Sequence, residues 1–416
     1  MYSVFKFGGA SVKNAEGVKN LKKILEIYKD KKLIVIISAM GKMTNQLEKV
    51  LDSWYYDRES LHANFEIVKN FHLDIAGALE NKPEEITAVL LPILNRLFEI
   101  LSGENSNHYD KDYDNIVSFG EYLSTKLIST YLNLNGYEND FACAINLVKT
   151  DDSYREGKVL WEKTEKEIAQ FVTNHSSKTI ITQGFIGGTL NDEITTLGRE
   201  GSDFSAAIFA YCLNAKEVTI WKDVPGLLNA DPKFYPDAVK LDEISYQEAI
   251  ELAYYGATII HPKTIKPLQN KHIPLFVKSF LAPCDKGTII AENEPVNKIP
   301  SYIFKTQQIL VSIFPKDFSF IAADNLTQIF SYISKNKLKI NLMQNSAVSF
   351  TICMDNKPNR FANLLKDLEK EFTVKYNTNA TLITIRHYTQ ESINQIIGNQ
   401  PALLEQKSRT TLQVVL

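Results

Sequence analysis

Leu33-Ile34-Val35-Ile36-Ile37 leaves no face for water. Five consecutive aliphatic side chains on a strand point alternately to both sides, so both faces of the sheet that holds them must be covered. Thr179-Ile180-Ile181-Thr182, Glu217-Val218-Thr219-Ile220-Trp221 and Pro274-Leu275-Phe276-Val277-Lys278 read as strands of the same kind, the last closing the series. Between them, apolar residues recur three and four apart over 18–28, 121–134, 202–214 and 245–255, the period of amphipathic helices. Short buried strands alternating with helices predict an α/β fold, a mostly parallel sheet sandwiched by helices. Residues 46–101 break the alternation. They predict several consecutive helices inserted after the second strand, as a cap over the sheet.

The character changes near Ala291-Glu292-Asn293-Glu294-Pro295, a polar stretch with a proline that reads as a linker. Beyond it the order becomes β-α-β-β-α-β, with strands at 309–314, 340–344, 348–354 and 373–376 and helices at 322–334 and 360–371. That order predicts a ferredoxin-like α+β sandwich. A shorter unit follows, with a strand at 381–386, a helix at 391–397 and a strand at 411–415. The expected domains are 1–292, 300–378 and 379–416. A chain of 416 residues is long enough for two or three such domains.

Charge and cysteine content narrow the function. The net charge is −3 and no basic tract stands out, which argues against nucleic acid as a main partner. Cys143, Cys212, Cys284 and Cys353 are far apart and form no C-x-x-C, so neither a zinc site nor a disulfide framework is expected. A reducing cytoplasm suits such a chain. The first residues enter a strand directly rather than a signal-peptide core, and no apolar run is long enough to span a bilayer. No membrane partner is expected.

Val4-Phe5-Lys6-Phe7-Gly8-Gly9-Ala10-Ser11-Val12 is the strongest chemical signal. A strand carrying one Lys runs into two glycines and then into a helix. Gly8 and Gly9 let the backbone approach an anion closely, a helix N-terminus offers free N–H groups, and Lys6 adds a full charge. This is the composition of a phosphate site, without the spacing of a Walker P-loop. Ser38-Ala39-Met40-Gly41-Lys42-Met43-Thr44-Asn45 follows the second strand, where open α/β sheets bind ligands. Thr44 could equally cap the next helix. Ser118 and Glu121 have the spacing of a capping box, and the alternative is a carboxylate aimed at an ammonium group. Gln183-Gly184-Phe185-Ile186-Gly187-Gly188 ends a strand in a glycine cluster. Thr195-Thr196-Leu197-Gly198-Arg199-Glu200-Gly201-Ser202-Asp203 then leads into an apolar helix. Arg199 offers a rigid fork for a carboxylate. Asp203 could orient Lys6 rather than touch substrate.

These segments resemble, in order, six motifs of the aspartate kinases in the amino-acid kinase family. The matches are K-F-G-G-[TS]-S-V at Lys6, S-A-x-x-G-x-T-N at Ser38 and S-x-G-E at Ser118. T-T-L-G-R-G-G-S-D follows at Thr195, W-T-D-V-P-G…D-P-R at Trp221 and F-G-A-K-V-L-H-P at Tyr255. The two C-terminal α+β units are similar to the ACT pair of the same enzymes. The resemblance implies an amino-acid kinase fold and phosphoryl transfer from ATP to L-aspartate, giving 4-phospho-L-aspartate and ADP. That is the first step toward lysine (through diaminopimelate), threonine and methionine.

It implies a role for each matching residue. Lys6 and Asp203 would be catalytic. Thr44, Glu121, Phe185, Arg199 and Ser202 would bind aspartate, with Glu121 on the amine. Lys6, Gly8, Gly9, Ser38, Lys222, Asp223, Leu228, Lys233, Thr258 and Ile259 would surround the nucleotide. Mg²⁺ would ride on ATP, with no metal site of the protein's own. His261 is read as structural. An amino-acid effector would meet Asn341, Asn345 and Ser346, where lysine-sensitive relatives carry Asp in place of Asn341, and a homodimer or higher homo-oligomer is expected. No dehydrogenase segment follows, so a monofunctional enzyme is expected.

Five departures stand out. Lys222 stands in place of Thr, Lys233 of Arg, Leu228 of an aromatic ring and Thr258 of Lys, and Glu200 replaces a Gly, which is tolerable if the position has negative φ. Two rival readings are a glutamate-type kinase of the same superfamily and a non-catalytic amino-acid sensor with a degenerate kinase domain.

Overall fold

In the computed structural model, which describes residues 1–257, 260–293, 298–317 and 319–416, the aliphatic run at 33–37 lies in β2 (Lys32–Ile37). Its parallel neighbours are β1 (Tyr2–Phe7) and β4 (Thr179–Gln183), and β1 is followed across the sheet by β7 (Val218–Lys222) and β9 (Leu275–Ser279), all parallel. β3 (Asp140–Ala142) closes one edge; β10 (Thr288–Ala291) and β8 (Glu243–Ser245) close the other. β10 runs antiparallel to β9, so the sheet continues past the strand expected to be its last. The hairpin β5 (Ile186–Gly188) and β6 (Ile194–Thr196) stands apart as a two-stranded sheet.

Both faces of this sheet are covered. Phe5, Phe7, Leu33, Val35 and Ile37 share one core with α1 (Ala15–Ile27) and with the helices inserted after β2. Those are α2 (Met43–Tyr56), α3 (Arg58–Ala78), α4 (Pro83–Ser102), α5 (Tyr109–Val117) and α6 (Phe119–Leu134). Short α7 (Ala144–Leu147) and then α8 (Trp161–Asn174) lead to β4. The opposite face carries α9 (Gly201–Cys212), which packs on β1, β2 and β7 and against α8 and α11 (Pro262–Asn270). α9 is apolar or small nearly all round, as a helix buried between a sheet and other helices must be. α10 (Tyr246–Tyr255) follows β8.

Two compact units divide the chain. The first comprises Met1–Leu227, Lys240–Ile250 and Ile259–Pro295; the second comprises Leu228–Val239, Glu251–Thr258 and Val296–Leu416. In the second, two long strands, β11 (Ser301–Pro315) and β14 (Phe372–Arg386), pair antiparallel along their length. α12 (Ala323–Lys335), β12 (Ile340–Asn345), β13 (Phe350–Asp355) and α13 (Pro358–Leu368) lie between them in sequence. The strand order β12-β13-β11-β14 makes a ferredoxin-like sandwich whose core includes Ile309, Val311, Ile329, Ile352 and Leu364. After α14 (Gln390–Ile396), β15 (Leu404–Lys407) and β16 (Thr411–Val415) extend the same sheet on the far side of β14. The strands expected separately at 373–376 and 381–386 are thus one strand, and the sheet is continuous across both α+β segments. A register shift between Lys305 and Gln308 marks the place where β11 passes from one half to the other.

Candidate functional site

The in-register carboxyl ends of β4, β2, β1 and β7 bring together the loops that the sequence singles out. Gly9 sits against the loop after β2. A Cβ at Gly9 would lie 2.6 Å from the carbonyl oxygen of Ala39 and 2.8 Å from that of Gly41, so only glycine fits there. The Gly9 carbonyl accepts the Gly41 N–H at 2.9 Å. Lys6 is the only charged side chain of β1, and its Nζ lies 2.6 Å from Oδ1 of Asp203 in the first turn of α9. Both side chains are largely enclosed, at 12% and 6% exposure.

Glu121 enters the same region from α6. A Cβ at Gly120 would come within 2.9 Å of the Ala39 Cβ, so glycine there lets α6 seat tightly on the 39–41 loop. Ser118 and Glu121 form no capping box. α5 runs directly into Ser118, which keeps helical backbone angles and donates its hydroxyl to Asn115 O at 2.7 Å. Glu121 instead accepts the Ala39 N–H at 3.2 Å through Oε1, and its buried Oε2 has no hydrogen-bond partner. Burial pushes the Glu121 carboxyl up to about 8; the Ala39 N–H and the Lys6 charge pull the other way.

A cleft of about 1040 Å³ collects these groups. Of the expected site residues, Lys6, Gly9, Ser38, Thr44, Glu121, Phe185, Arg199, Ser202 and Asp203 line it. Arg199 is exposed and makes no hydrogen bond or ion pair among the described residues. Phe185 holds φ 69° while its N–H reaches Ser205 Oγ at 2.9 Å, which ties the end of β4 to α9. Lys222 and Asp223 stand at the end of β7 and are not among the residues lining the cleft. Leu228 and Lys233 belong to the second unit, where the Lys233 N–H donates to Asp231 Oδ1 at 2.9 Å. Thr258 and Ile259 lie outside the described residues. Asn341, Asn345 and Ser346 lie at and just beyond β12 in the second unit.

The condition for replacing glycine at Glu200 without strain is not met: Glu200 lies at φ 53° and ψ 30°, in the left-handed region. Its Oε2 accepts the His261 N–H at 2.9 Å, and that bond helps hold the conformation. His261 itself is the N-cap of α11.

The outer wall of the cleft escaped the sequence reading. Tyr113, Tyr154, Arg155 and Lys158 line it. The Arg155 guanidinium lies 4.2 Å from the Tyr113 ring centre and 3.3 Å from Asp110. Buried Asp114 accepts the N–H groups of Arg155 and Thr196 and the Thr196 hydroxyl, at 2.8, 2.9 and 2.6 Å. No local pattern announces such a wall, because its parts come from α5, the 153–158 loop and β6. Among the described residues no group of three or more His, Cys, Asp or Glu side chains is arranged to hold a metal ion. Among them, too, no helix is long and apolar enough to cross a membrane.

Comparison with known proteins adds the following. The profile of the amino acid kinase family matches residues 1–279. Aspartokinase 2, chloroplastic, of Arabidopsis thaliana is 30% identical over 419 residues, covering 94% of this chain and 74% of that one. The aspartokinase of Chlamydia pneumoniae is 32% identical over 360 residues, covering 84% of this chain and 77% of that one. Among solved structures, E. coli aspartokinase III in complex with lysine and aspartate superposes with a TM-score of 0.82 at 23% identity, covering 100% of this chain and 95% of that one. The Clostridium acetobutylicum aspartate kinase gives 0.80 at 21% identity, covering 100% and 96%.

Proposed function

The chain belongs to the amino acid kinase family and, within it, to the aspartokinases; from that premise we propose that it phosphorylates the β-carboxylate of L-aspartate with MgATP. One observation carries the reading. The enclosed Lys6–Asp203 pair shares a cleft with Glu121, whose carboxyl has an oxygen without a partner among the described residues, and with Arg199, whose guanidinium likewise has none among them. An α-amino acid presents one ammonium and one α-carboxylate. Glu121 and Arg199 match that pair, which leaves the side-chain carboxylate free to face Lys6.

The chemistry needs little more. An aspartate β-carboxylate is ionised at pH 7, so no general base is required. One carboxylate oxygen attacks the γ-phosphorus, the bond from that phosphorus to the β–γ bridging oxygen breaks, and ADP leaves with the electron pair. The task is to hold two anions in line and to stabilise charge on the equatorial oxygens. Lys6 supplies that charge, and Asp203 fixes where its ammonium sits. Thr44, Phe185 and Ser202 complete the acceptor pocket in this proposal. Gly8, Gly9, Ser38, Lys222 and Asp223 serve the nucleotide.

We also propose residues 1–292 as the catalytic domain, and 300–378 and 379–416 as two ACT-like regulatory units on one shared sheet. On this reading the enzyme is cytoplasmic, assembles at least as a homodimer and answers to an amino-acid effector. Sedimentation of the full chain tests the dimer. ADP formation measured with L-aspartate, L-glutamate and N-acetyl-L-glutamate tests the activity. Aspartate should be strongly preferred, and preference for either other acceptor would overturn the assignment.

A further inference from the structure

The turn that opens α11 grips the loop carrying Arg199 at two points. Glu200 Oε2 accepts the His261 N–H at 2.9 Å. Two residues later, the Lys263 ammonium donates to the Leu197 carbonyl and lies 5.2 Å from the Phe204 ring centre. Arg199 stands between these two anchor points. The loop between them is sharply folded: Gly198 has φ 72° and Glu200 φ 53°, and the Gly201 N–H closes back on the Gly198 carbonyl at 2.9 Å. A non-glycine residue in the left-handed region persists only when its surroundings over-determine it. Here the side chain that bears the strain also makes the bond that fixes it.

The consequence falls on Arg199. Its guanidinium has no partner among the described residues, so none of them holds the tip of the side chain before substrate arrives. The direction of its backbone sets where the fork can reach, and displacing a binding group by an ångström can cost as much as roughly a hundredfold. We propose that Glu200 and Lys263 are positioning residues that set the reach of Arg199, and so the affinity for the acceptor's α-carboxylate. This rests on the acceptor role given to Arg199 above. It goes beyond that role by making acceptor affinity depend on a helix that does not itself line the cleft.

Two measurements on the full-length enzyme test it. Amide exchange at residue 261 reads the tether directly. It should be slow in the wild type and in Glu200→Gln, whose amide oxygen can still accept the bond, and fast in Glu200→Gly. Steady-state kinetics read the consequence. Glu200→Gly should raise KM for aspartate by roughly tenfold or more, with smaller changes in kcat and in KM for ATP. Lys263→Met should shift the same parameter in the same direction, and Glu200→Gln should stay close to wild type. A merely structural Glu200 would lower thermal stability instead, whereas glycine relieves the strained φ and should keep it. Unchanged exchange at 261 in Glu200→Gly, or a wild-type aspartate KM in that variant, would overturn the inference. So would Glu200→Gln being as impaired as Glu200→Gly. If the wild type does not use aspartate at all, the acceptor assignment falls, and the exchange result still decides whether the tether exists.

Discussion

Lys6 Nζ lies 2.6 Å from Asp203 Oδ1, which pins the single cation of β1 to the first turn of α9. The contact joins two motifs far apart in sequence and explains why both glycine-rich loops end at one place. On the proposed reading it also divides the labour, with Lys6 facing developing charge and Asp203 holding Lys6. Lys6→Ala should therefore reduce kcat by about a hundredfold or more while the far-UV spectrum and the melting transition stay close to wild type. Asp203→Ala should also impair catalysis strongly, and Asp203→Asn, which can still hydrogen-bond the ammonium, should lose less. Near-normal kcat in Lys6→Ala would remove Lys6 from the reaction.

Glu121 should make aspartate binding depend on pH. Its carboxyl, raised to about 8 by burial, is largely protonated in the free enzyme at pH 7, yet it must be ionised to pair with an ammonium. Binding should therefore release close to one proton at pH 7, and KM for aspartate should fall as pH rises from 6 towards 8, by up to about tenfold per unit. Calorimetry in buffers of different ionisation enthalpy counts the proton. Glu121→Gln should abolish both effects and raise KM for aspartate by roughly tenfold or more, the loss expected for one charge-assisted contact. Arg199→Ala should raise the same KM and keep the pH dependence. If only KM for ATP moves, these two residues belong to the nucleotide.

His72 should limit stability in acid. It is fully buried in α3, its Nδ1 donates to the Val68 carbonyl at 2.7 Å, and its Nε2 has no partner. Burial pushes its pKa down to about 4. Between about pH 6.5 and 4 the unfolded chain binds a proton that the folded chain refuses, so stability falls as pH falls through that window. The full loss is about 3 kcal/mol. Urea denaturation as a function of pH should show a shallower acid slope in His72→Leu than in the wild type. An identical slope would mean that His72 does not titrate across folding.

Lysine should inhibit this enzyme weakly or not at all. The Asn341 amide is already committed inside the second unit: its Nδ2 donates to Gln308 Oε1 and Asp355 Oδ1, both at 2.8 Å, and its Oδ1 accepts the Lys305 ammonium at 2.9 Å. A second ammonium at Asn341 would meet the Lys305 cation, and the carboxylate beside it, Asp355, already accepts hydrogen bonds from Asn341 and Gln308. Activity titrated with lysine, threonine and methionine decides the matter. Half-inhibition by micromolar lysine alone would show that Asn341 does not govern effector choice.

The parts of this architecture legible in the sequence are those with a long, uniform period. The run at 33–37 and the helices after it announce themselves because burial on both faces admits only aliphatic residues. Asp140–Ala142 and Glu243–Ser245 do not, since three-residue strands carry no period to read. β14 looked like two strands because Asn377-Thr378-Asn379 resembles a turn; Asn379 does adopt φ 60°, but as an irregularity within a continuous strand. In the site, Lys6, Glu121, Arg199 and Asp203 stood out by residue type beside glycines. Arg155 over Tyr113, and Glu200 on His261, are tertiary contacts with no local signature. Glu200 shows the limit most clearly: its side chain's reach to a distant backbone N–H holds a backbone angle that sequence reasoning set against it.

The cleft should transfer a phosphoryl group to the side-chain carboxylate of aspartate. Trapping the product with hydroxylamine during turnover with MgATP and L-aspartate tests it directly, because an acyl phosphate becomes a hydroxamate at the carbon that carried the phosphate. β-Aspartyl hydroxamate should form in amounts equal to the ADP, and Lys6→Ala should form about a hundredth as much or less. An α-hydroxamate, or ADP released without any hydroxamate, would contradict it.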